Sequence, residues 1–457
     1  MTDAQPIGAR EASPSRSTPA VEAELARQMR SAWPRLLALL ASRSHDISAA
    51  EDALSAAFTK ALSAWAKDDA GGGIPNNPQA WLLTAARNAL TDGYRSAAWK
   101  TASPLDDVIL DTASDPATNL ETSSGLDTRQ EAKSVSAETI PDERLKLLFV
   151  CAHPAVDKTI HTPLMLQTVL GLEADQVASL FLTPKATMAQ RLVRAKRKIR
   201  DARIAFAIPA ADEWPSRTTA VLEAVYGAYT SAHAAGTQAD SKDASQSTER
   251  KNATDDLLLE ALYLADLLVD VMPEEAEALG LAALLNFSIA RQPANAEANR
   301  FIPLSQQDTA LWSQPRLRRA EALLSRASRQ KRLGRFQLEA AIQSVHADRR
   351  KTGRTDWKAL VHLYEGLLKI APTLGAAVAQ AAAIGEAHGA EAGLRALDGI
   401  VLKQVQNHQP YWATRAHLLA SKDPIAAALA YERALELTTD PAIAAFLLCK
   451  KASLTQR

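Results

Sequence analysis

The densest chemistry in the sequence is electrostatic. Between Lys185 and Arg203 stand eight basic residues, Lys185, Arg191, Arg194, Lys196, Arg197, Lys198, Arg200 and Arg203, opposed only by Asp201. That leaves +7 on one short stretch of a 457-residue chain whose formal net charge is +0. A concentrated cation on an otherwise acidic protein is the footprint of polyanion binding. Other chemistries lack their residue patterns. The nine histidines are scattered, with no metal-ligand spacing, phosphate-cradling glycine loop or nucleophile elbow, so no enzyme, cofactor or metal site is expected. His153 and His161 flank Pro154 and are read as structural, and Cys151 and Cys449, far apart in apolar surroundings, as buried core thiols.

The element that carries the cations has a definite plan. Ala174, Val177, Ala178 and Phe181 put one apolar face on a short helix within 173–182. Thr183-Pro184-Lys185 then breaks it, because proline disfavours a helical residue before it and suits the start of a new helix. In the next helix Met188, Leu192, Ala195 and Ile199 form one buried stripe. Two short helices joined by a tight turn, the second apolar inside and basic outside, follow the helix-turn-helix plan. Thr187, Gln190, Arg191 and Arg194 are placed to reach base edges in a major groove; Lys196, Lys198 and Arg200 lie further along, where phosphates are the natural partners. The competing reading is a solvated basic face on a packed helix.

A second constellation lies upstream. Residues 49–65 predict an amphipathic helix with Ala50, Leu54, Phe58, Ala61, Leu62 and Trp65 on one stripe. Glu51 and Asp52 near its start suit the helix dipole, which is already a sufficient structural reason for them. A glycine- and proline-rich loop, 67–78, leads to a helix over 79–95 in which Trp81, Leu82, Ala85 and Ala89 or Leu90 can face a core. Asn88, Asp92 and Arg95 recur on its other side.

Apolar residues make up 47% of the chain and aromatics only 5%, and few segments alternate as strands do, so the fold class is all-α. Five segments are expected: a disordered Ser/Pro/Ala-rich start (1–20), a first helical block (21–100), a flexible acidic linker (101–140), a second block with the basic helix (141–208), and a helical region from 209 to 457. Near its end, Trp357 to Pro372 and Tyr411 to Pro441 form a weak repeat of aromatics and small residues, as in tetratricopeptide-type hairpins. The second copy has extra residues before its proline, so hairpins are expected and a regular solenoid is left open. No apolar run is long enough for a membrane span and the start lacks a secretory h-region, so a cytoplasmic location, with no membrane partner, is the default.

Ala50-Glu51-Asp52-Ala53-Leu54, Ala57-Phe58, Pro78-Gln-Ala-Trp81-Leu82-Leu83, Ala86-Arg87-Asn88 and Asp92 together resemble conserved region two of extracytoplasmic-function sigma factors. The stretch from Leu172 to Arg203 resembles their region four. Three later stretches, Ala220 to Tyr226, Pro303 to Trp312 and Arg335 to His346, are similar to the C-terminal extension of one subgroup of these factors, which ends in tetratricopeptide-like helices.

The resemblance implies a sigma region two bundle, a region four helix-turn-helix and a fused helical domain. It implies core RNA polymerase and promoter DNA as partners. Glu51 and Asp52 would face the polymerase clamp; Trp81, Asn88, Asp92 and Arg95 would capture the melted minus-ten element; the basic helix would read the minus-thirty-five element; and the acidic linker would thread the polymerase cleft. Ser55-Ala56 departs from the family's frequent Gln-Glu and removes one polymerase-facing charge. The large C-terminal domain is expected to bind a protein partner and to regulate, with the acidic run Asp255 to Glu277 as a candidate surface. The alternative is a helix-turn-helix regulator that binds operators without polymerase, with a helical-repeat signalling domain.

Overall fold

In the computed structural model, residues 19–66, 73–101, 142–237, 244–292, 301–401 and 405–454 are described. The expected disordered start up to residue 18, the acidic linker from 102 and the first half of the glycine-rich loop, 67–72, lie outside them. All regular structure among the described residues is helical, with no strand. The chain divides into two compact units, Met1–Thr218 and Thr219–Arg457.

The first unit opens with α1 (Pro19–Ser31), α2 (Trp33–Ser44), α3 (Ile47–Trp65) and α4 (Pro78–Thr101). The apolar run in α2 buries Leu36, Leu37, Leu39 and Leu40. Each such side chain contributes about 1.5–3 kcal/mol of transfer free energy. His45 ends α2 in the left-handed region at φ 55°, and Asp46 starts α3, its carboxylate accepting from the Ala49 N–H at 3.1 Å. Along α3 the expected stripe is buried except at Leu62, which is exposed, while Ala53 and Ala57 join the core. Trp33 packs on Phe58 at 5.5 Å, and Trp65 meets Trp81 edge-on at 5.4 Å.

The same unit continues through α5 (Arg144–Cys151), α6 (Lys158–Thr168), α7 (Ala174–Leu180) and α8 (Lys185–Asp201). α5 is apolar on nearly every side and central to this core. Its Cys151 is fully buried, which pushes the thiol up to about 12. His161 is structural, as expected: its ring is buried and bonds the Val156 carbonyl at 2.9 Å. Ile204 and Phe206 fold back as buried residues, with Phe206 stacked on His45 at 5.6 Å. Arg217 is buried too, paired with Glu213 and reaching the Phe149 carbonyl at 3.4 Å.

The division between the units falls within α9 (Trp214–Thr237), which leads to α10 (Ala244–Val271), α11 (Ala276–Ala290), α12 (Gln314–Arg329) and α13 (Arg335–Ala347). α11 is buried all round and forms the axis of this core. Glu277 near its start accepts the Phe336 and Gln337 N–H groups at 2.9 and 3.1 Å, satisfying two donors at the start of α13. Gly334 allows this: a Cβ there would stand 2.2 Å from the Glu277 carboxyl carbon.

A short α14 (Arg349–Thr352) precedes paired helices: α15 (Trp357–Ile370), α16 (Leu374–His388), α17 (Ala390–Asp398), α18 (Gln409–Leu419), α19 (Pro424–Glu436) and α20 (Pro441–Ala452). α16 and α17 approach closely at glycine, where a Cβ on Gly393 would lie 2.8 Å from the Gly385 Cα. Cys449, expected in the core, is exposed on α20 because the buried face of that helix centres on Leu447.

Candidate nucleic-acid interface

The basic helix is built for exposure on one side. In α8, Met188, Leu192, Ala195 and Ile199 are buried at 6% exposure or less, as the periodicity requires. Ahead of it, α7 is closed at its start by Gln176, whose Oε1 accepts the Glu173 N–H at 2.8 Å. The turn between α7 and α8 passes through Leu182 at φ 48°, a left-handed conformation uncommon for a branched side chain. Lys185 pairs with Asp175, stapling the start of α8 to α7.

Thr187, Gln190, Arg191, Arg194, Arg197 and Lys198 are all exposed on α8. Arg197 leans toward Asp201 at 3.4 Å, and Arg200 pairs with Asp201 at 3.0 Å. The outer face therefore presents a row of cations and polar groups on a rigid rod.

Lys196 departs from the sequence expectation. It is 6% exposed, and its Nζ lies 2.5 and 2.7 Å from the two carboxylate oxygens of Glu51. Residue 196 is adjacent to the buried Ala195, so its side chain runs along the inner edge of α8 onto α3. Its ammonium is taken up by Glu51 and turned away from the outer face of α8. Glu51 in turn faces α8 rather than open solvent. Burial pushes its carboxyl up from the ordinary carboxylate range; the Lys196 ammonium pulls it back down, and Asp52 and Asp46 add to the rise. Arg200 adds a second link, to Asp46 at 3.7 Å. Nothing in the sequence announces these contacts, which join residues about 150 positions apart. Asp52, the other expected polymerase-facing carboxylate, is exposed.

The four residues expected at the minus-ten element divide. Asn88, Asp92 and Arg95 are exposed along α4, at spacings of four and three that put them on one face. Trp81 is 8% exposed and packs against Trp65, so in this structure it is a core side chain that fixes the angle of α4 on α3. Its indole has enough apolar surface to be drawn into the α3–α4 seam. Among the described residues no group of three or more His, Cys, Asp or Glu could hold a metal ion, and no helix is long and apolar enough to cross a membrane.

Residues 29–100, the part of the chain that holds α2, α3 and α4, match the family Sigma-70 region 2. An uncharacterized protein, R00370, of Rhizobium meliloti (strain 1021) is 31% identical over 421 residues, covering 91% of this chain and 92% of its own length. The chain belongs to the family of that protein. Its first block is a sigma-70 region 2 domain, the polymerase-binding module of sigma factors, which points to a role in transcription initiation. Residues 217–328 match a family of unknown function (DUF6596), so the sigma-70 region 2 domain is followed, well along the chain, by a second family domain. No solved structure matches the chain.

Proposed function

We propose that the chain is a sigma factor of the extracytoplasmic-function type, acting in the cytoplasm. It would bind core RNA polymerase through its sigma-70 region 2 domain and hold promoter DNA at two elements. α7 and α8 would act as the helix-turn-helix of region four, reading the minus-thirty-five element through Thr187, Gln190, Arg191 and Arg194, with Lys198 on the phosphates. Asn88, Asp92 and Arg95 would meet the melted minus-ten strand, and Asp52 the polymerase. The region from 209 on, ending in tetratricopeptide-like hairpins, would set activity in place of a separate inhibitor.

The observation that carries this reading is the exposed cationic face of α8, after a tight turn, in the same unit as a sigma-70 region 2 domain. A polymerase-independent operator binder would leave the polar face of α4 without a role.

The test is in-vitro transcription with core polymerase, comparing the full chain with a 1–218 truncation. The cut follows residue 218 because Ile204, Phe206 and Arg217 are buried in the first unit. Promoter-dependent transcripts from both, differing several-fold in yield, are the expected outcome. Absence of transcripts from both would reject the sigma-factor reading; equal yields would reject the regulatory role.

A further inference from the structure

The second unit brings together the three distinctive stretches that promoter recognition leaves unused. Tyr226 packs on Phe336 at 5.4 Å, and Arg335 bonds Glu223 at 2.8 Å. Arg349, just beyond His346, donates to the carbonyls of Ser305, Leu304 and Gln307 at 2.6, 2.9 and 2.8 Å, and its guanidinium lies over the Trp312 ring at 5.4 Å. Trp312 shares a core cluster with Ala290 at the end of α11 and Ala347 at the end of α13. The Ser313 N–H closes the join on the Ala290 carbonyl at 2.9 Å.

Among the described residues the charges at this junction do not balance. Arg291 follows Ala290, and its enclosed Nη1 has no hydrogen-bond partner. Among the described residues the group acting on it, besides burial, is the hydroxyl of Tyr229, itself bonded to Ser288, and not a carboxylate. Glu339, which also acts on Tyr229, is bonded to Arg335 at 2.7 Å. Burial, with the charges of Arg291 and Arg349 beside it, holds the His346 imidazole down at about 4. Arg349 is occupied by its three carbonyls; Arg291 is not. Two further enclosed donors, Trp312 Nε1 on the adjoining loop and Gln314 Nε2 at the start of α12, also lack partners.

A half-buried guanidinium with an enclosed, unpartnered Nη1 and no counter-charge among the described residues is costly, and water can complete a hydrogen bond but cannot neutralise the charge. Neutral donors beside a cation are the set that an oxyanion takes. An enclosed nitrogen cannot reach the phosphates of a duplex, so the ligand is small. We propose that the end of α11, the Trp312 loop and the last turn of α13 form a binding site for a small molecule bearing a carboxylate or phosphate, with Arg291 as its cation. The site lies in the DUF6596 stretch and its immediate continuation, and gives that domain a ligand-sensing role.

The test uses the full chain in thermal unfolding with inorganic phosphate or sodium acetate, against sodium chloride at matched ionic strength. A saturable rise in apparent Tm of about 2–4 °C is expected for at least one anion over chloride. Phosphate alone would point to a phosphoryl ligand and acetate alone to a carboxylate. Arg291→Gln should be at least as stable as the wild type in chloride, since it removes an unpaired charge, and should lose the anion-specific rise. If that variant fails to fold, Arg291→Lys decides, because it keeps the charge without the planar fork and should show less than half the rise. No rise in the wild type, an equal rise in Arg291→Gln, or an undiminished rise in Arg291→Lys would overturn the site.

Discussion

The Lys196 ammonium lies 2.5 Å from a Glu51 carboxylate oxygen, tying the inner edge of α8 to the start of α3. The two ends of the pair are unequally covered. The Lys196 side chain is 7% exposed and that of Glu51 25%. A buried charge that loses its partner costs more than a charge that can reach water. Glu51→Ala is therefore expected to destabilise the first unit by about 2–4 kcal/mol, and Lys196→Met by about half as much, since Glu51 can then take a proton or meet solvent. The double variant should be more stable than Glu51→Ala alone, with a coupling of about 2–3 kcal/mol in denaturant unfolding. Additive losses would show that the pair contributes nothing beyond its separate side chains.

The exposed face of α8 makes a prediction about DNA. Arg191→Ala and Arg194→Ala should each weaken binding at the minus-thirty-five element by ~1–3 kcal/mol if they contact base edges. Lys198→Ala should weaken binding evenly across sequences and shallow its salt dependence. Footprinting of the polymerase complex at several salt concentrations separates the two. Protection unchanged in all three variants would remove α8 from recognition.

On α4 the buried and exposed residues should behave oppositely. Asn88→Ala and Asp92→Ala are expected to keep the fold and polymerase binding but to lower permanganate reactivity of minus-ten thymines. Trp81→Ala, which empties part of the α3–α4 seam, should cost ~3–5 kcal/mol of stability instead. Normal strand opening by both polar variants would detach this face from melting.

His346 gives a prediction in pH. Its imidazole is held at about 4, from an ordinary value of 6.5, by burial and by Arg291 and Arg349. The folded chain thus binds fewer protons than the unfolded one between those values. The neutral ring contributes stability that is fully present above pH 6.5 and is lost as pH falls toward 4. The loss is on the order of 2–3 kcal/mol. His346→Gln should flatten the stability curve of the full chain by that amount across the same window, measured as the difference from wild type. Parallel curves would mean the ring does not titrate differently on folding.

Periodicity made the buried stripe of α8, the all-helical class and most of the α3 stripe legible in the sequence, because one-dimensional spacing maps directly onto one face of a helix. It failed where a side chain's partner comes from elsewhere in the chain. Lys196 reads as one cation among eight until α3 is packed beside it. Periodicity does put Trp81 on the core face, where it meets Trp65 across the seam; its minus-ten role came only with the resemblance. The acidic run 255–277 reads as a partner surface, but several of its carboxylates work within the second unit: Glu277 at the start of α13, Asp266 on Arg319 at 3.1 Å and Glu275 on Arg332 at 3.4 Å. Long polar side chains reach farther than any local pattern reports.

The contact between α3 and α8 also sets a length. Elements centred near minus ten and minus thirty-five lie roughly 25 base pairs apart, or about 85 Å along B-form DNA at ~3.4 Å per pair. With α4 packed on α3 and α3 tied to α8, α4 and α8 cannot touch both ends of that distance at once. If the chain straddles a promoter as proposed, the Glu51–Lys196 and Asp46–Arg200 links must part first, and two acids and two bases become available together. Fluorophores on α3 and α8 would then move apart when polymerase and promoter are added, so that the closed pair serves as a ruler for the engaged state.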